Sequence, residues 1–228
     1  TTGANNVAVG SQSLTNNTTA SNNAAVGTSA LLTNTTGSEN TAVGKSALNA
    51  NTTGDNNVAV GYQSMLLNTT ATNNTALGTY SLYTNTTGAT NTAIGQTSLF
   101  YNTTASNNTA VGYRAGYLTT TGIKNVCIGA EAGYSITTGS SNVCIGYTAG
   151  QGQFATSSNN LFIARAATGA GNAAVWINGD GSGNCIQGNN ASTWTTASDE
   201  RIKKDIVDSP NGLAKIDALQ VRNFNYRT

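Results

Sequence analysis

Apolar positions recur along this chain at one fixed spacing, set in long stretches of Asn, Thr and Gly. A triplet of small and branched residues ends in glycine at Gly10, Gly27, Gly44, Gly61, Gly78, Gly95, Gly112, Gly129 and Gly146, always 17 residues apart. Four residues before each glycine stands Asn, from Asn6 to Asn142. The residue just before it is Val, Leu or Ile, and the one before that is Ala, or Cys in the last two copies. Thr pairs follow the glycines, from Thr18-Thr19 to Thr137-Thr138. Nine copies fill residues 1–150, and self-similarity at a fixed period marks a stacked repeat.

The pattern predicts an all-β fold, a repetitive 17-residue β-solenoid or β-roll. Each "N-x-A-V-G" reads as a short strand of branched and small residues closed by a glycine free to take positive φ. The "NTTG" and "NTTA" stretches read as turns, where Asn and Gly supply the geometry. Asn, Thr and Gly are poor helix formers. With one coil per repeat and about 4.8 Å between coils, the Asn column becomes an amide ladder and the Val/Ile column the expected core. Two short strands per coil bury little, and the Ala column is expected to admit another surface closely. Closed association, as a homotrimer, is expected to supply the missing burial, with dimer and monomer left open by the sequence.

The repeat changes along its length. Copies one to six carry Leu14, Leu31, Leu48, Met65, Leu82 and Leu99 four residues after the glycine; copies seven to nine carry Gly116, Gly133 and Gly150. A tenth element, Asn159 to Ala164, comes one residue late. Residues 151–197 are expected to form an irregular β-rich neck.

Composition narrows the class. The chain has 228 residues, of which 8% are charged, and a formal charge of +1. That balance argues against an electrostatic nucleic-acid or membrane partner. No run approaches the roughly 18 apolar residues of a membrane span. Thr1 already lies within the repeat, so the chain is expected to be a piece of a longer protein. Eleven of its nineteen charged residues fall after Ser198, which marks a boundary between two kinds of polypeptide.

"NTAVGKSAL" (Asn40 to Leu48) resembles the head repeats of trimeric autotransporter adhesins. "NTTGATNTAIG" (Asn85 to Gly95) is similar to arrays in phage tail fibres. This resemblance covers roughly residues 1–164, with a period longer than the usual adhesin repeat. "SDERIKKDI" resembles the opening of the self-cleaving C-terminal intramolecular chaperone of phage tail fibres and tailspikes, through Ser198, Asp199, Arg201, Lys203 and Ile206. Gly212, Leu213, Ile216, Leu219, Phe224 and Tyr226 continue the match. The resemblance implies a truncated, partly α-helical chaperone start at 198–228. Ser198 would be its nucleophile and Lys203 its base, with cleavage between Ala197 and Ser198. A serine hydroxyl needs such a base, and lysine serves only when neutral. With the domain cut short at Thr228, little or no cleavage is expected. The alternative reading is a Ser-Asp cap on an amphipathic helix presenting Ile202, Ile206 and Val207.

Other candidates carry less. Cys127 and Cys144 occupy one slot in adjacent coils, close enough for a disulfide, yet better read as buried thiols filling an Ala column. Cys185 has no partner, no zinc spacing exists and His is absent. Asp180 to Asn184 reads as a glycine turn rather than a calcium loop. Tyr62, Tyr113 and Tyr147 follow the glycine, with Tyr117 and Tyr134 beyond; they suit packing between chains or, less readily, stacking on sugars.

The expected function is structural. The chain would be the distal shaft and receptor-binding region of a virion tail fibre. Its partners would be two further copies, other tail proteins and a host surface glycan, and no cofactor or metal is expected. The only chemistry expected is a single self-cleavage. A bacterial trimeric surface adhesin is the alternative, separable by its gene neighbours, and a Thr-faced ice-binding solenoid is a third.

Overall fold

A computed structural model describes the side chains of residues 2–152 and 155–163, and the backbone also of 164, 175–179 and 185–187. It is an all-β parallel solenoid, and the described residues contain no helix. Each repeat forms one coil and contributes one strand of three residues. These are β1 (Val7–Val9), β2 (Ala24–Val26), β3 (Thr41–Val43), β4 (Val58–Val60), β5 (Thr75–Leu77), β6 (Thr92–Ile94), β7 (Thr109–Val111), β8 (Val126–Ile128) and β9 (Val143–Ile145). They stack in sequence order and in parallel, so that Ala25 lies beside Ala42 and Cys127 beside Cys144. β10 (Leu161–Ala164) continues the stack, while β11 (Val175–Gly179) and β12 (Cys185–Gln187) add antiparallel. Ten parallel strands extend about 43 Å at the usual inter-strand spacing.

The expected second strand per coil is absent. The rest of each coil is bends and corners, yet its backbone still bonds from coil to coil. Leu48 N–H donates to Ser64 O at 3.0 Å, and Thr52 N–H to Thr69 O at 2.9 Å. Buried backbone groups must find partners, and here the neighbouring coil provides them without regular strand geometry.

The corners explain the repeat's spacing. The nine glycines have φ between 118° and 138°, a region closed to L side chains. A Cβ on Gly95 would also lie 2.5 Å from the Gly112 carbonyl oxygen. The position four residues later is left-handed as well, with φ of 48–51° at the Leu and Met residues and 60–72° at Gly116, Gly133 and Gly150.

The core differs from expectation in which face is inward. Ala25, Ala42, Ala59, Ala76 and Ala93 are fully buried, whereas Val9, Val26, Val43, Val60, Ile94 and Ile128 are 36–57% exposed. The branched column therefore lines the outside, and the Ala column faces the opposite wall of its own coil. Filling that wall are Leu31, Leu48, Met65, Leu82 and Leu99, all essentially buried. A coil of 17 residues is too narrow for two large columns, so alanine meets leucine.

The Asn column forms the predicted ladder. Asn40 N–H donates to Asn23 Oδ1 at 2.9 Å, and Asn40 Nδ2 donates to Gly54 O at 2.8 Å. Through its backbone N–H and its side chain together, Asn40 joins three successive coils. A second ladder, unpredicted, uses the Asn of the "NTT" stretch: Asn51 Nδ2 donates to Asn34 Oδ1 at 2.8 Å and to Gly54 O at 3.0 Å. Buried amides are tolerated only when satisfied in this way.

Candidate functional site

Two outward surfaces interrupt the polar coat. The first is the strand face. Because side chains alternate along a strand, the residues flanking its middle position, Ala in the first seven coils, both point outward. Coil by coil they are Val7 and Val9, Ala24 and Val26, Thr41 and Val43, Val58 and Val60, and Thr75 and Leu77. Thr92 with Ile94, Thr109 with Val111, Val126 with Ile128, and Val143 with Ile145 continue the face, and Leu161 with Ile163 end it. None carries a charge. Adjacent members are in register, which makes one continuous apolar stripe on the solenoid.

The second surface is aromatic and confined to the middle coils. Tyr83, Phe100, Tyr117 and Tyr134 occupy one column five residues after the glycine. They stack in sequence with centroids 5.0, 5.4 and 5.2 Å apart. Tyr101 meets Phe100 and Tyr117 edge-on, while Tyr80 packs edge-on against Tyr62 and Tyr83. The Arg114 guanidinium lies 5.5, 4.9 and 5.6 Å from the ring centres of Tyr113, Tyr117 and Tyr134 and 3.8 Å from Glu131. Burial, then a hydrogen bond with Tyr101, holds the Tyr117 phenol above its ordinary range. Sequence reasoning singled out Tyr62, Tyr113, Tyr117 and Tyr134 but missed that Tyr83 and Phe100 share their column. Aligning the copies on their glycines reveals it.

Inside the coils, Cys127 and Cys144 are buried free thiols, as expected. A hydrogen bond with Cys144 and burial push the Cys127 thiol well above its usual range. This marks a protonated core group rather than a nucleophile. The Thr pairs lie in bends, and the first hydroxyl of most pairs is already used: Thr35 Oγ1 donates to Thr52 O at 2.9 Å, and Thr52 Oγ1 to Thr69 O at 3.1 Å. The second Thr of each pair stays exposed, from Thr19 to Thr138.

Ser198, Lys203 and the Ala197–Ser198 junction lie outside the described residues, as do the expected helical segment, most of the neck and the Asp180–Asn184 turn. Compared with known proteins, the chain matches no family model, no curated protein and no solved structure. What defines its class is therefore the fold itself: a parallel β-solenoid of nine 17-residue coils, the build of a repeat fibre.

Proposed function

We propose that this chain is a shaft segment of a homotrimeric virion tail fibre, in which three copies meet along the strand face. The observation carrying this reading is the outward column of Val, Leu and Ile, from Val9 to Ile163, half-buried or exposed at every coil. A soluble monomer gains nothing by turning Val, Leu or Ile outward in ten successive coils, since contiguous apolar patches on soluble chains mark contact surfaces. Burying them would supply the apolar area that so thin a coil lacks. The residues resembling the intramolecular chaperone support the same reading. On it, residues 198–228 begin a folding aid, with Ser198 attacking at the Ala197 junction and Lys203 accepting its proton. The fibre would contact other tail proteins and attach to a host surface glycan, without cofactor or turnover chemistry.

Light scattering tests the assembly. A mass three times the 23.1 kDa chain is expected. Val60→Lys with Ile94→Lys should give monomers, because three copies would bring like charges together on a dry face. A wild-type monomer would end the proposal.

A further inference from the structure

We infer that the aromatic ladder on the middle coils binds a linear, uncharged saccharide lying along the stack. This rests on the fibre reading only for the source of such a ligand; the geometry stands apart from it. The aromatic column is a departure from the repeat. At the same position the first four coils hold Thr15, Leu32, Asn49 and Leu66. Those coils stack through the same backbone bonds, Thr33 to Asn49 at 3.1 Å and Ala50 to Leu66 at 3.0 Å, as Thr84 to Phe100 at 3.1 Å. Coil formation therefore does not require the rings. Something else accounts for four rings in line and four more tyrosines beside them.

The chemistry of the patch selects among occupants. Tyr101 and Tyr113 are 41% and 46% exposed, so ring carbon and phenol hydroxyl both reach solvent. The stacked column rings cover one another's faces and leave their edges and phenols to a ligand, so its C–H faces meet Tyr101 and Tyr113 and its hydroxyl groups meet the column. Arg114 is paired with Glu131 at 3.8 Å. A polyanion would find two cations, the Arg114 guanidinium already engaged by a carboxylate and three rings, and the Lys45 ammonium 6.0 Å from the Tyr62 ring centre. A neutral saccharide finds a donor fork, an acceptor carboxylate and several phenols. The rings repeat every 5.0–5.4 Å in one direction, which favours a ligand that repeats likewise. A second copy of the chain is the competing occupant, but the charge-free strand face is the better self-complementary surface.

The full chain, residues 1–228, should be probed against cello-, chito- and malto-oligosaccharides of increasing length, beside sulfated and sialylated counterparts. Retention of at least one neutral series is expected, strengthening with length until the ladder is spanned. Tyr101→Ala with Tyr113→Ala should weaken it at least about tenfold, with the melting temperature and light-scattering mass unchanged. Tyr147→Ala, removing an exposed tyrosine outside the stack, should leave retention intact. The inference is overturned by retention of charged members alone, by no retention, or by equal losses in the Tyr147 and double variants. A trimer that retains no saccharide would sink this inference and leave the fibre reading standing. A monomer that retains one would do the reverse.

Discussion

At the residue scale, the coil accepts local strain wherever burial outweighs it. A left-handed conformation costs a residue such as Leu48 about 1–2 kcal/mol, while burying its side chain returns about 1.5–3 kcal/mol. Glycine at 116 and 133 removes the strain and the side chain together, and other residues fill the space. Ile136 is fully buried where earlier copies place Asn, and a Cβ on Gly133 would lie 2.3 Å from Cys127 Sγ. The changeover leaves a defect. The second amide ladder runs from Asn17 to Asn102, where Thr119 succeeds it, and both Asn102 Oδ1 and Thr119 Oγ1 are buried without a partner. Thr119→Asn should restore the rung, with Nδ2 donating to Asn102 Oδ1 and Gly122 O. The gain expected is about 1–3 kcal/mol, the cost of leaving a buried polar group unpaired. Thermal unfolding reads it, and an unchanged or lowered midpoint would contradict it. The thiols give a pH prediction. The Cys127 pKa is raised in the folded state, so its contribution to stability is complete below the unfolded thiol's pKa. It falls as pH rises beyond about 9, because only the unfolded chain then loses the proton. Denaturant midpoints should drop above that pH, and less so in Cys127→Ala, whose residue matches the other coils.

At the element scale, register rather than strand length holds the sheet, since three residues make a marginal strand alone. Deleting residues 57–73, one whole coil, rejoins Asn56 to Asn74 and keeps every column. A single cooperative transition should persist, its midpoint a few degrees lower. Inserting one residue between Ala42 and Val43 instead moves Val43 out of its column and reverses the faces beyond it. Loss of the transition is expected there, and equal melting of the two variants would refute the distinction. The chain already shows where an extra residue is harmless: β9 pairs with β10 at an offset of 18, and the addition falls before Ala155, ahead of the strand. These relations were partly legible in the sequence. The glycine register revealed the coil, the parallel stack and the first Asn ladder directly, because each requires one residue type at one position. The inward face was misread because Val and Ile resemble core residues more than Ala does. Parity held the correct answer: Asn40 and Ala42 share one side of the strand, so a buried amide ladder places Val43 outside. The leucine wall was harder to see, since Leu48 sits in a left-handed corner outside any strand pattern.

At the scale of the whole molecule, a solenoid's stability is close to a sum of coil terms and nearest-neighbour terms. The first Asn ladder continues to Asn160, so that contribution is nearly uniform. The second stops at Asn102, and the junction between the sixth and seventh coils holds two unpartnered buried groups. The junctions before it carry both ladders and those after it carry the first alone, but this one also buries two unpartnered groups, so it should open first, apart from the ends. Hydrogen exchange can compare equivalent amides. Leu99 and Thr103, which donate across this junction to Ala115 O and Thr120 O, should exchange faster than Leu48 and Thr52, which occupy the same places three coils earlier. Cover by other copies does not confound the comparison, because equivalent positions lie on the same side of the coil. Thr119→Asn should bring the two sets together. Equal protection in the wild type would mean that backbone stacking alone sets local stability, and that the inner amides serve register rather than strength. A difference abolished by the substitution would instead place the weakest junction beside the aromatic ladder, at a break the sequence carries in one threonine.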